Sequence, residues 1–200
     1  MTSTRDNPAP GVLVDVLPVD RSVLATGAMD GDEAPPELLV VPVFVDERPL
    51  LGMAGFLDWR LCGRLSALLR SGFGTAERGE RVLLAGHGKI PFPRVVLLGA
   101  GPSDEFDQPA AESMARQAVD LGGALRAATL AVAVPANLIA REQCEQFGLA
   151  LGQRLLGRPD SSSRSWPGVF EWVRVYVPSD GVARFRRLIA GPPRAAIDVD

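Results

Sequence analysis

Residues whose types and spacing could do chemistry are concentrated in one stretch of this 200-residue chain. Gly99-Ala100-Gly101, followed by Pro102 and Ser103, leaves a β-type run and leads toward a helical pattern. In that context exposed backbone N–H groups can cradle a phosphate. Gly99, Ala100, Gly101 and Ser103 are therefore the candidate ligand-binding residues, and a nucleotide is the ligand they would suit. A dinucleotide fingerprint, however, has a third glycine three residues beyond the second, and Asp104 stands there with a charge that opposes a pyrophosphate. A tight strand-to-helix turn accounts for the same glycines through backbone freedom alone. Ser103-Asp104-Glu105 equally suits a set of helix caps.

Other reactive residue types lack companions. His87 is the sole histidine, set between Gly86 and Gly88, and with no second His or Cys at ligand spacing it reads as a turn or surface histidine. Asp104, Glu105 and Asp107 bunch near a helix start, where carboxylates complement the helix dipole more often than they bind a cation. No G-x-S-x-G motif occurs, so a serine triad has no support, and neither a catalytic residue, a metal site nor a cofactor is expected. Cys62 and Cys144 each fall inside a helical pattern and read as reduced core thiols. The stretch Arg184 to Arg187, with Phe185 inside it, reads as a solvated helix face. Trp59, Trp166 and Trp172 are scattered and form no stacking platform.

The elements that must position these residues follow from periodicity. Residues 11–19 read as a strand near a sheet edge. Residues 21–36 read as loop. The run Leu38-Leu39-Val40-Val41-Pro42-Val43-Phe44-Val45 is apolar throughout and predicts a strand covered on both sides, with a bulge or an edge at Pro42. Leu61, Leu65 and Leu68 predict a helix over 58–70, stopped by Gly72. Arg81–Ala85 and Arg94–Leu98 read as adjacent strands joined by a turn. Asp107 caps a helix reaching Leu125, with Pro109 in its first turn. Thr129–Pro135 is a strand, and Ala140–Leu156 a helix with Cys144, Phe147, Leu151 and Leu155 inward. A serine-rich connection over 158–167 precedes a strand over 171–177 and a short helix over 180–189. Strands alternating with helices imply crossovers, hence an α/β fold: a three-layer α/β/α sandwich with a mixed, largely parallel sheet.

Composition bounds the partners. At 46% hydrophobic the chain suits one core, expected over 11–190 between tails at 1–10 and 191–200. A net charge of −3 gives no general attraction to nucleic acid or an anionic membrane. No stretch has the roughly 18 consecutive apolar residues of a membrane span. Residues 1–10 are polar where a signal peptide would be apolar, so a cytoplasmic protein is expected.

The order of segments also carries a resemblance. The run from Leu38 to Phe44, the helix around Leu61 to Leu69, Gly72-Phe73-Gly74 with Gly79-Glu80, and Arg94-Val95-Val96-Leu97-Leu98-Gly99-Ala100-Gly101 together resemble the N-terminal domain of leucyl aminopeptidases. Ala110–Leu125, Thr129–Pro135, Glu142–Gly152 and Trp172–Pro178 are similar to that domain's later features, so the resemblance covers nearly the whole chain. It implies a macro-domain-like fold. It also implies that the family's two-metal site, with its Asp-Thr-Asp-Ala-Glu-Gly-Arg type of motif, belongs to a separate C-terminal domain that no motif here matches, the chain ending at Asp200 where that domain would begin. The expectation is a non-catalytic interaction or regulatory module with a protein partner or self-association. The alternatives are a macro-type binder of ADP-ribose or a related nucleotide, and a portion or partner subunit of an aminopeptidase.

Overall fold

A strand with no polar face must be covered on both sides, and β2 (Leu38–Phe44) is: all seven of its residues are buried. Alternation then sorts its side chains into two cores. Leu38, Val40 and Phe44 join one cluster, while Leu39, Val41 and Val43 join the other. The computed structural model describes residues 12–24, 34–135, 140–156 and 170–190. Beside β2, the strands are β1 (Leu13–Pro18), β3 (Arg81–Ala85), β4 (Arg94–Gly101), β5 (Thr129–Ala133) and β6 (Trp172–Val177). The helices are α1 (Gly52–Arg60), α2 (Arg64–Arg70), α3 (Gln108–Ala124), α4 (Arg141–Leu156) and α5 (Val182–Ala190).

The sheet runs in the order β1-β6-β5-β2-β4-β3. Every pairing is parallel except β3 with β4, so the sheet is mixed and largely parallel, as expected. One core lies beneath α3, α4 and α5 and includes Met114, Phe147, Leu151 and Phe185. The other lies beneath α1 and α2 and includes Met53, Leu57, Leu61 and Leu65. The α/β/α sandwich is therefore realised. β1 is an edge strand. Pro42 falls where β2 loses a neighbour: its pairing with β5 stops at Val40, and its register with β4 shifts between Val43 and Phe44. Asp107 caps α3 by accepting from the Ala110 N–H at 2.9 Å, with a proline in the first turn.

The structure corrects several readings. The single helix over 58–70 is two helices, because Cys62 (φ 56°) and Gly63 (φ 78°) take left-handed backbone between them. The Asp58 carboxylate bridges the break, accepting from the N–H and hydroxyl of Ser66. α1 begins at Gly52, ahead of any periodic signal used for it. Cys62 is exposed at that break rather than in the core, whereas Cys144 is buried as expected. Residues 21–24, read as loop, form a 3-10 turn that buries Val23 and Leu24. β4 runs on through Gly101, so Gly99, Ala100 and Gly101 are its buried last residues rather than a turn beyond it. The expected tails, the serine-rich connection and Trp166 lie outside the described residues. Among the described residues, no helix is long and apolar enough to cross a membrane.

Candidate functional site

An open parallel sheet offers a ligand crevice where neighbouring strands send their chains to opposite faces, at their carboxyl ends. Here that point lies between β2, which leads to α1, and β5, which leads to α4. Pro42 and Pro135 line it, and neither can donate to a ladder, so the two strands part there. The crevice is nonetheless nearly closed. The space left among Pro42, Phe44, Glu47, Met53 and Val134 is about 20 Å³, room for one water.

What fills it is the loop between β2 and α1. Glu47 is only 5% exposed and turns its carboxylate onto backbone donors: Oε1 accepts from the Leu51 N–H at 2.9 Å and Oε2 from the Phe44 N–H at 3.3 Å. Leu51 is the N-cap of α1, so this carboxylate stands where an anion would meet the positive end of that helix. Burial pushes the Glu47 carboxyl above its ordinary value, against the two N–H bonds and Arg48, which pull it down. The Arg48 guanidinium closes the turn by donating to the carbonyls of Glu47 (2.7 Å) and Phe44 (3.3 Å).

The preceding carboxylate does the same at the end of β4. Asp46 accepts from the Ser103 N–H at 2.9 Å and from the Ser103 hydroxyl, and the hydroxyl bond is the chief reason its carboxyl is held below the ordinary value. The candidate ligand residues thus have internal partners. Gly99 donates its N–H to the Glu80 carbonyl (2.8 Å), and Gly101 donates to the Ala76 carbonyl (3.0 Å). Gly99 is glycine because of close approach: a Cβ there would stand 2.0 Å from the Glu77 carbonyl oxygen. Glu80 pins the adjoining loop, accepting from the N–H groups of Thr75 and Ala76 at 2.7 Å each.

The remaining sequence candidates are dispersed. His87 is exposed, with φ 50°, in the turn between β3 and β4. Asp107 caps α3, and Glu105 lies 3.9 Å from the Arg78 guanidinium. Among the described residues, no three His, Cys, Asp or Glu side chains stand together as a metal site. Arg184 pairs with Glu145 at 3.5 Å, Arg186 donates to the Val16 carbonyl at 3.2 Å, and Phe185 is buried between them. The basic stretch is therefore tied into the fold rather than wholly solvated. Trp172 lies under the Arg174 guanidinium, 4.6 Å from its ring centre, and Trp59 is 68% exposed.

Sequence reasoning missed Asp46 and Glu47. The signal available was an acidic pair directly after a wholly apolar strand, at the sheet's carboxyl end. It also missed a second concavity, a groove of about 440 Å³ lined by Leu50, Leu51, Gly52, Gly55, Phe56 and Trp59 along the outer side of α1.

Comparisons with known proteins agree on the architecture. A mutant of tomato leucine aminopeptidase is similar in structure at a TM-score of 0.59 and 16% identity, over 93% of this chain and 36% of that one. An Oceanobacillus iheyensis macrodomain mutant gives a TM-score of 0.58 at 12% identity, over 95% of each chain. The macrodomain of Mycobacterium tuberculosis DarG gives 0.54 at 15% identity, over 84% of this chain and 99% of that one. Identities this low show the fold, which is macrodomain-like, and this chain spans about a third of the tomato enzyme's length. No curated protein matches it. The family model described as the N-terminal domain of the cytosol aminopeptidase family matches residues 40–155, more than half of the sequence, and the chain belongs to that family.

Proposed function

We propose that this chain is a non-catalytic interaction or regulatory module of the cytoplasm. It works through a protein partner, such as a separately encoded aminopeptidase-like subunit, or through self-association. The observation that carries the reading is the acidic pair Asp46 and Glu47, which takes up the donors at the end of β4 and at the start of α1. A ligand phosphate at either place would have to displace a carboxylate already bonded there, and at Glu47 a buried one. Hydrolysis of a peptide by the two-metal route would in addition need carboxylates converging on paired ions, and the part of the family matched is its N-terminal domain.

The test is crosslinking of the chain in native extract. A stoichiometric partner or a self-associated form is expected, and recovery of the chain alone would overturn the proposal. Leucine-amide hydrolysis with added manganese or zinc should read zero; turnover abolished by a chelator would refute the non-catalytic part.

A second reading, a binder of ADP-ribose or a related nucleotide through Gly99, Ala100, Gly101 and Ser103, draws support from the macrodomain-like fold. Calorimetry with ADP-ribose at millimolar concentration separates the two. Heat of binding there would favour the nucleotide reading.

A further inference from the structure

α1 carries large apolar side chains on two sides, which is the pattern of a helix covered on both faces. Met53, Ala54 and Leu57 face the sheet and are buried. Phe56 is only half-buried, and Trp59 is 68% exposed beside Leu51 at 38%. Gly52 and Gly55 lie beside them, and Gly55 admits no side chain because a Cβ would stand 2.5 Å from the Leu50 carbonyl oxygen. These residues line a groove of about 440 Å³ together with Leu50, Leu51 and Trp59.

Two quantities choose the occupant. With an indole contributing up to about 250 Å², the exposed apolar surface around Trp59, Phe56 and Leu51 amounts to roughly 300 Å². A stable dimer needs about 800 Å² from each partner, so a second copy is a poor fit and a short segment a good one. Charge sets the sign. Between Gly52 and Ser71 the chain carries Arg60, Arg64 and Arg70 against Asp58, three positive charges to one negative, in a chain of net −3. The arginines are exposed.

We infer that the groove along α1 docks an acidic peptide segment of a partner protein, one bulky apolar side chain lying between Leu51 and Trp59 while neighbouring carboxylates are drawn to the arginines of α1 and α2. This rests on the interaction-module reading and names the surface that performs it. Attraction between exposed charges makes such docking weaken with salt.

The experiment uses the full chain and two labelled synthetic peptides, each with a central Leu-Phe pair, one flanked by glutamates and the other by lysines, read by fluorescence anisotropy. The glutamate peptide is expected to bind about tenfold or more tighter than the lysine peptide at low salt, with the difference shrinking as salt rises. Trp59→Ala is expected to lose about tenfold in affinity for the glutamate peptide. Arg60→Glu with Arg64→Glu is expected to reverse the preference between peptides. Both variants alter exposed side chains, and thermal melting at the wild-type temperature confirms their fold. Equal binding of the two peptides, or wild-type affinity in Trp59→Ala, overturns the inference. Crosslinking in extract separates this failure from that of the wider reading: a partner retained undiminished by Trp59→Ala removes the groove and leaves the module, whereas absence of any partner for wild type removes the module.

Discussion

Glu47→Ala tests whether the loop after β2 is held by its own carboxylate. The side chain is 5% exposed, and its removal strands two backbone donors, the N–H groups of Leu51 and Phe44. A buried donor left without an acceptor costs about 1–3 kcal/mol. The Phe44 donor is buried but its bond is long at 3.3 Å, and the Leu51 donor, bonded at 2.9 Å, belongs to a residue that water partly reaches, so each falls in the lower half of that range. Together they predict a loss of about 2–4 kcal/mol for Glu47→Ala. Glu47→Gln keeps one acceptor but turns an amide NH₂ toward the other donor, so it should cost less, about 1–2 kcal/mol. Urea unfolding measures both, with an unchanged slope showing that the unfolded ensemble is not what moved.

The pH dependence has a definite sign. Because burial raises the Glu47 carboxyl above 4.5, the folded chain holds that proton more tightly than the unfolded one. The stability contributed in this way is fully present below 4.5 and is lost as pH rises through the raised value. The gap between wild type and Glu47→Gln should therefore be widest in acid and narrow as pH rises through the raised value. A Glu47→Ala protein within about 0.5 kcal/mol of wild type would refute the reasoning, as would a gap that widens toward neutral pH.

Three further outcomes follow from neighbouring geometry. Gly99→Ala drives a Cβ to 2.0 Å from the Glu77 carbonyl oxygen, and since that contact is backbone it should cost about 3 kcal/mol in urea unfolding; a neutral result would mean the loop over 75–80 yields freely. Ser103→Ala removes the hydroxyl that chiefly holds Asp46 below 3.8, so the Asp46 titration followed by NMR should move upward. Asp46 stabilises the fold above its ordinary value and loses that effect as pH falls through the lowered one, so the variant should show less acid sensitivity in this loop. Cys62, exposed, should react with a thiol reagent in the native protein, whereas Cys144, buried and with its thiol pushed up chiefly by burial, should react only on unfolding. Simultaneous reaction of both would contradict the placement of Cys144.

Elements written in local spacing were legible in the sequence. The unbroken apolar run of β2 predicts its burial on both faces, and the stripe of Cys144, Phe147, Leu151 and Leu155 predicts the inward side of α4, because each pattern is complete within its own element. Asp107 and Pro109 mark the start of α3 for the same reason. The break between α1 and α2 was hidden because the leucine spacing continues across it: Leu61 and Leu65 remain on one side while Cys62 and Gly63 turn left-handed between them.

The site was hidden for a different reason. Gly99 and Gly101 have the types of a phosphate cradle, yet what fixes them is the backbone of residues 76–80, which only the folded sheet brings against them. Asp46 and Ser103 are 57 residues apart, and Glu47 looks like any acidic loop residue until β2 is known to end at the switch point. A glycine-rich turn offers its amides to a ligand only if nothing in the same chain reaches them first. A local motif records the donors and is silent about distant acceptors; here the acceptors are a carboxylate after β2 and two carbonyls before β3, so motif and site diverge at the point where the fold closes on itself.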